Sequence, residues 1–248
     1  MKNTIRITGI VILTFIASAS FGQSLKVSAG ISTSFMQGAE LGDKEYVQPQ
    51  PIGSYLTFYQ FSRQQLRAIG VNASLAYDFK LGQKLYLETG FRYQERVVKM
   101  LYKEIFTYLE EDDYPTSFAS NTGLAKYSIK FIEVPIVLKR YITSGDVATY
   151  LRTGIYAGFI TGGKASWEGE YTLNNGETSL SQSSTILDLS GPGTGRVSGG
   201  FIIGAGAEYK RFFFEANLNV GANFLSLYNE FDLTYTKDLS ISLGFLID

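Results

Sequence analysis

Apolar and polar residues alternate strictly over most of the chain, beginning at Leu25. In residues 212–224 the even positions hold Phe, Ala, Leu or Val, while Glu, Asn or Gly occupy the odd positions after Phe213. A period of two predicts a β-strand whose faces meet different surroundings, because successive side chains point to opposite sides of a strand. The pattern predicts eight strands, at residues 25–35, 67–79, 85–94, 132–139, 150–159, 197–209, 212–224 and 239–247.

The connections between these strands alternate between short and long. Short turns are predicted at residues 81–84, 143–146 and 210–211, and long polar loops at residues 36–65, 101–125, 162–195 and 225–237. In an up-and-down barrel, successive connections fall on opposite rims, and outer-membrane barrels have short turns in the periplasm and long loops outside. The spacing therefore favours a closed up-and-down barrel with both chain termini at the periplasmic rim.

The composition of the two faces distinguishes a membrane barrel from a soluble one. A secreted lipocalin-like barrel would turn its apolar face inward and cover its surface densely with Lys and Glu. Here the polar face is rich in Gly, Ser and Asn, and the apolar face is aliphatic at its centre and aromatic toward its ends. Its central positions hold no Lys or Arg, each of which would cost about 2–4 kcal/mol at the middle of a bilayer. We therefore predict an all-β fold, an eight-stranded antiparallel up-and-down transmembrane β-barrel in contact with outer-membrane lipid.

The N-terminus has the pattern of a secretory signal. Lys2 and Arg6 precede an apolar run at residues 7–16, and small residues follow it. The run is shorter than the ~20 residues that span a bilayer as a helix. We predict a signal peptide at residues 1–22 and an outer-membrane β-barrel domain at residues 23–248. Cleavage after Ala19 is the alternative to cleavage after Gly22.

Two absent residue types exclude much chemistry. The chain contains no Cys and no His, so it cannot form thiolate or imidazole metal sites, a cysteine nucleophile or a Ser-His-Asp triad. Its 22 Lys and Arg are balanced by 23 Asp and Glu, which gives no basic excess for nucleic acid. We predict no catalytic, cofactor or metal site and no nucleic-acid partner.

Seven charged residues share the polar face of the predicted strands. In a barrel of about eight strands the interior is just wide enough for side chains to fill, so these charges are expected to pair across it. A structural network of salt bridges is the prediction, and a gated ion or proton path is the alternative. The residues are Glu88, Arg92, Glu133, Lys139, Arg152, Glu208 and Glu215.

Pro135 interrupts the fourth predicted strand. Proline lacks the N–H group that a β-ladder requires, and a closed barrel has no free edge on which that loss goes unnoticed. We expect a bulge or a local break in the ladder beside it.

Three features of the long loops could bind ligands. Glu110, Glu111, Asp112 and Asp113 could bind Ca²⁺, although an acidic run without calcium-loop spacing is more typical of a solvated loop. Gly191, Gly193 and Gly195 lack the Lys-Ser/Thr ending of a phosphate loop, so a flexible connector is expected. Trp167, the only tryptophan, is expected to anchor the membrane rim rather than stack on a ligand.

The segment Phe131-Ile132-Glu133-Val134-Pro135-Ile136-Val137-Leu138-Lys139, within an eight-strand pattern behind a signal sequence, resembles the PorT-like outer-membrane β-barrel family of the Bacteroidetes. This resemblance implies a Gram-negative outer-membrane location. A few members of that family act in protein secretion or gliding, but no residue here matches one known to carry such a role.

The expected function is therefore that of a non-enzymatic, monomeric barrel with a structural, interaction or secretion-associated role in the cell envelope. Its long loops would contact other envelope or extracellular proteins. A narrow channel for small solutes is one alternative. An enzyme that modifies outer-membrane lipid is another, less favoured because such sites commonly employ histidine.

Overall fold

The computed structural model describes residues 24–37, 44–52, 55–109, 117–172, 178–186, 197–225 and 232–247. The predicted signal peptide, the acidic run at residues 110–113 and the glycines at 191, 193 and 195 lie outside the described residues. No described segment forms a helix long and apolar enough to cross a membrane. The strands are β1 (Ser24–Gln37), β2 (Lys44–Ile52), β3 (Tyr55–Leu66), β4 (Ile69–Lys80), β5 (Leu85–Leu109), β6 (Ser117–Tyr141), β7 (Val147–Thr172), β8 (Thr178–Ile186), β9 (Val197–Tyr209), β10 (Phe212–Leu225) and β11 (Asp232–Ile247).

Eight of these strands close into an antiparallel ring. The hydrogen-bonded order is β1, β4, β5, β6, β7, β9, β10, β11 and back to β1. Closure is made by β1 and β11, which pair from Leu25↔Ile247 to Gln37↔Tyr235. All eight predicted strands lie in this ring, so the predicted eight-stranded barrel is confirmed.

The side chains of the ring point as a membrane barrel requires. Outward residues of β6 such as Ile136 are 49% exposed, whereas the inward Glu133 is 0% exposed. Aliphatic and aromatic side chains cover the outside of every strand in the ring, and polar side chains are buried inside. The apolar face is therefore the lipid face, and the lipocalin-like alternative is excluded.

Two outward charges mark the height of the apolar belt on β6. Lys130 and Arg140 are both exposed, lie ten positions apart (140 − 130), and have only Ile132, Val134, Ile136 and Leu138 between them on that face. A strand that crosses a bilayer needs about 9–11 residues. The belt on β6 is thus one membrane thickness high.

Three short turns join strands at the periplasmic rim, as predicted. In the turn at residues 81–84, the N–H of Leu81 donates to the carbonyl of Leu85 at 2.9 Å. The two-residue turn between β9 and β10 places Lys210 at a φ of 56°, a left-handed conformation that suits tight hairpins. The connection from β6 to β7 contains Gly145 at a φ of 140°.

The predicted long loops are largely strands, which corrects that prediction. β5, β6 and β7 are 25–26 residues long, and β5 pairs with β6 from Leu85↔Arg140 to Tyr108↔Ser117. Above the belt, β5 changes partner from β4 to β3, and β7 changes partner from β9 to β8. The result is a sheet in the order β2-β3-β5-β6-β7-β8 beyond the external rim, called the extension below.

The polarity of the two faces inverts where the barrel becomes the extension. Inside the barrel most inward side chains are polar, but toward the extension they form an apolar cluster of Met36, Val98, Met100, Ala125, Ile129, Phe131 and Ile160. The outward positions are now charged and exposed, as at Lys103, Lys126, Lys164 and Glu168. A sheet surrounded by water buries its apolar side, whereas a barrel wall in lipid exposes it. The inversion therefore marks the external membrane boundary.

The ladder is irregular at two places, one in the middle of the belt and one at its external boundary. Between β5 and β6, Thr89↔Ile136 is followed by Arg92↔Glu133, and no pairing joins Gly90 and Phe91 to the opposite strand. This confirms the predicted local break beside Pro135. Between β6 and β7, the register shifts at Lys130/Phe131, so that Thr161 is an extra residue and the alternation of β7 reverses beyond it.

Candidate functional site: the charged lumen

The lumen of the barrel contains two groups of ion pairs. The seven predicted residues all lie on the inward face, in the company of four others. The periplasmic cluster consists of Lys26, Asp78, Glu88, Lys139, Arg152, Glu208 and Glu215, and the external cluster of Arg92, Arg96, Glu133 and Asp238.

Four residues of the periplasmic cluster form a ring of alternating charge. Lys26 Nζ lies 2.6 Å from Glu88 Oε2 and 2.7 Å from Glu215 Oε1. Arg152 contacts the same two carboxylates from the other side, with Nη2 2.5 Å from Glu88 Oε1. These residues come from β1, β5, β7 and β10. The ring therefore joins strands that are not neighbours in the barrel wall.

The rest of this cluster lies around Lys139. Lys139 Nζ is 2.7 Å from Asp78 Oδ2 and 2.5 Å from Glu208 Oε1. The hydroxyl of Tyr141 donates to Glu208, and that of Tyr150 donates to Glu215 at 2.8 Å. Because the Tyr150 ring also lies 4.3 Å from Lys139 Nζ, measured to its centroid, it links the two halves of the periplasmic cluster.

A glycine makes room for the Tyr150 ring. Gly206 faces Tyr150 on β7 and Glu215 on β10. A Cβ atom at Gly206 would lie 2.4 Å from Tyr150 Cζ, well inside van der Waals contact. The absence of a side chain at this position is what allows the aromatic ring to lie against the wall.

The external cluster is centred on Glu133. Arg96 Nη2 is 2.8 Å from Glu133 Oε1, and Arg96 Nε is 2.5 Å from Asp238 Oδ2. Arg92 Nη2 is 2.7 Å from Glu133 Oε2, and Arg92 Nη1 donates to Asn219 Oδ1 at 3.1 Å. The Arg96 guanidinium lies 4.1 Å from the centroid of the Phe131 ring. This ring belongs to the apolar cluster of the extension, so the external ion pairs lie directly against that cluster.

The space left between the clusters is small. One cavity lined by Lys26, Glu88, Arg92, Arg152 and Glu215 offers about 30 Å³ to the centres of water molecules, enough for one or two waters. Arg96, Glu133, Lys139 and Asp238 are 0% exposed. The described lumen is thus filled by side chains along its length.

Four of the eleven charges were not predicted. Lys26 and Asp78 lie on the polar faces of two predicted strands, so the alternation does contain a signal for them. Arg96 and Asp238 lie just beyond the predicted ends of their strands, at residues 94 and 239. The apolar residues change face there, so the alternation that predicts a strand is interrupted before Asp238 and after residue 94.

The expectation for Trp167 is wrong. Trp167 lies on the inner face of the extension, packed against its apolar cluster, with its ring centroid 5.6 Å from that of Tyr102. The bulge at Thr161 accounts for this, because it turns the odd-numbered residues of β7 inward. Trp167 therefore contacts protein rather than the membrane rim.

A closed ring with a lipid-facing apolar belt and a buried polar interior defines an integral β-barrel membrane protein. A family model described as "outer membrane protein beta-barrel domain" matches residues 21–225. The chain belongs to this family, which places it in the outer membrane.

Among solved structures, the chain is similar to the attachment invasion locus protein Ail of Yersinia pestis, with 13% identity over 92% of this chain and 99% of that one and a TM-score of 0.36. It is also similar to Neisserial surface protein A, with 10% identity over 90% and 98% of the two chains and a TM-score of 0.31. LpxR from Salmonella typhimurium gives 8% identity over 88% and 99% and a TM-score of 0.26. A search of curated proteins found no match.

Proposed function

We propose that the chain is a non-enzymatic, monomeric outer-membrane barrel with a closed lumen, whose extension contacts other envelope or extracellular proteins. The observation that carries this proposal is the continuation of β5, β6 and β7 beyond the belt into a sheet with two open edges. Loops alone would be mobile attachments. A sheet with its own apolar cluster is a rigid surface on which a partner's position can be defined.

The two edges of the extension differ in how well they are protected. Among the described strands, β2 pairs with β3 alone and carries Pro49 and Pro51, which cannot donate hydrogen bonds to an added strand. Within the same part of the chain, β8 pairs with β7 alone, and its sequence TSLSQSSTI has no charge and no proline. Its Leu180 is 83% exposed. An edge without charge or proline is a template for pairing with another chain, which favours β8 as the contact.

Photo-cross-linking on intact cells tests this proposal. A photoreactive residue at Gln182 is expected to give defined protein adducts, and Leu180→Lys is expected to reduce them because a charged edge residue disfavours strand addition. Leu81→Lys, the same change at an exposed leucine of a periplasmic turn, is the matched control and should leave the adducts unchanged. Adducts that are absent, or insensitive to Leu180→Lys, would contradict the proposal.

The packing of the two clusters supports a closed lumen and argues against a narrow channel. The purified barrel in planar bilayers should show no steady unitary conductance. A reproducible single-channel level would favour the ion path instead.

The non-enzymatic reading is supported by the lack of His and Cys. Overproduction of the chain should leave the mass spectrum of cellular lipid A unchanged. A new lipid A species that depends on the chain would support the lipid-modifying alternative.

We also propose that the chain is a PorT-like member of its family from the Bacteroidetes, with a secretion-associated role. The support is the segment Phe131-Ile132-Glu133-Val134-Pro135-Ile136-Val137-Leu138-Lys139. Deletion of the gene should then change the set of secreted proteins. Complementation with the wild-type chain should restore it, and an unchanged set after deletion would contradict the role.

A further inference from the structure

A groove runs along the outer wall at the external end of the apolar belt. It has a volume of about 420 Å³ and is lined by residues of β1, β3, β10 and β11 and of the link from β3 to β4. Phe35, Leu218 and Leu239 supply apolar surface, each between 44% and 50% exposed, and Arg67 and Lys237 supply two exposed cations. The groove is therefore apolar toward the membrane and cationic toward the outside.

Strand register explains how the two cations come together. Lys237 pairs with Phe35 across β11 and β1, directly above the pair of Thr33 with Leu239. Thr33 also pairs with Ile69 on β4, and Arg67 precedes Ile69 by two residues on the same side of the chain. Arg67 and Lys237 thus flank Phe35 at one level, one step beyond Ile69 on β4 and Leu239 on β11.

No acidic partner neutralises these cations among the residues that the structure describes. Neither Arg67 nor Lys237 takes part in an ion pair there. Elsewhere on the same rim, Lys130 lies opposite Glu95 across β5 and β6, whereas the cross-strand partners of Lys237 are Phe35 and Val220. The groove concentrates unbalanced positive charge at one place on the rim.

We propose that this groove binds a phosphorylated lipid of the outer leaflet, with a phosphate at Arg67 and Lys237 and an acyl chain against Phe35, Leu218 and Leu239. Arginine and lysine are the side chains that recognise phosphate. Because the apolar part of the groove is continuous with the lipid face of the barrel, an acyl chain reaches it without leaving the membrane.

The proposal is tested by titrating the purified, folded barrel in a neutral detergent with diphosphorylated lipid A and counting bound lipid by native mass spectrometry. The double variant Arg67→Gln/Lys237→Gln should lose about thirty-fold in affinity, since each basic residue near a phosphate surface contributes roughly a factor of five. Lys130→Gln/Lys164→Gln, which removes two exposed cations from the same rim outside the groove, should bind as the wild type does.

Two further experiments separate the contribution of the lipid phosphate from that of the acyl chain. Dephosphorylated lipid A should bind weakly and equally to all variants, and inorganic phosphate should not displace the lipid unless phosphate alone is the ligand. The charge-preserving variant Arg67→Lys/Lys237→Arg should retain binding, and heat-modifiable gel migration verifies that every variant is folded. Equal losses in the two Gln variants, binding of dephosphorylated lipid A as tight as that of diphosphorylated lipid A, or displacement by inorganic phosphate would overturn the proposal.

Discussion

Lys26 on β1 and Glu215 on β10 are 189 positions apart in the chain, yet their charged atoms meet at 2.7 Å inside the barrel. Both side chains are almost completely buried. Two partners of opposite charge that are far apart in the chain therefore join β1 to β10, two strands that are separated in the wall by β11.

Replacing Lys26 should destabilise the barrel. Among the described residues, Lys26→Met leaves Glu88 and Glu215 with Arg152 as their one ion-pair partner, and removing one member of a buried ion pair costs about 3–5 kcal/mol. A urea titration in phosphatidylcholine vesicles, followed by circular dichroism, should show this loss in the free energy of unfolding. Lys84→Met, in an exposed periplasmic turn, should change it by less than about 0.5 kcal/mol. Equal stability of the two variants would show that the lumen pairs contribute nothing.

The lipid face should be intolerant of charge at its middle. Ile136→Arg places a cation at the centre of the belt on β6 and should cost about 2–4 kcal/mol, whereas Ile142→Arg, beyond Arg140, should cost about 0–1 kcal/mol. The same urea titration measures both. A similar cost at the two positions would contradict the assigned membrane position.

Gly206 should resist even the smallest side chain. Gly206→Ala would push the Tyr150 ring off the wall and weaken the hydrogen bond from Tyr150 to Glu215, a loss of about 1–3 kcal/mol for an overpacked interior. Ala205→Val is the control, because Ala205 is exposed on the lipid face and the added methyl groups meet only lipid. The midpoint of heat-modifiable gel migration reports the difference. A larger effect at Ala205 would contradict the inward placement of Gly206.

The fluorescence of Trp167 should detect a change in the packing of the extension while the barrel stays folded. Met100 is 0% exposed and belongs to the cluster against which Trp167 packs, so Met100→Ala should cost the extension about 2–5 kcal/mol. We expect the Trp167 emission to shift to longer wavelength and its quenching by iodide to increase. Heat-modifiable migration of the barrel should persist. Leu101→Ala, its exposed neighbour on the outer face, should leave the emission unchanged.

The sequence predicts the barrel well and the extension poorly, for one physical reason. Alternation identifies a strand only while the surroundings of its two faces stay the same. On β5 the apolar side is outward at Phe91 and inward at Met100, since lipid surrounds the first and water the second. The strands continue through this change, although their pattern is interrupted, and the interrupted part resembles a polar loop.

The ion pairs illustrate a second limit. The sequence predicts that residues such as Glu88 and Arg152 point inward, because each occupies the same alternating positions as the Gly, Ser and other polar residues of its strand. Which cation meets which carboxylate depends on strand order, stagger and the height of each residue in the lumen. Arg96 and Asp238 meet only because β5 and β11 place them at one level, and no local pattern contains that information.

The Lys26–Glu215 contact also constrains the order of assembly. A partly inserted wall made of β1 to β9 would lack Glu215 and Asp238, so that Lys26 and Arg152 would share Glu88 and Arg96 would have no contact with Asp238. Only the arrival of the C-terminal hairpin of β10 and β11 brings Glu215 and Asp238, at the same time as it supplies the hydrogen bonds that join β11 to β1. Completion of these ion pairs and sealing of the cylinder are thus one event, and the incompletely paired cations supply an electrostatic driving force for the last hairpin to close the barrel.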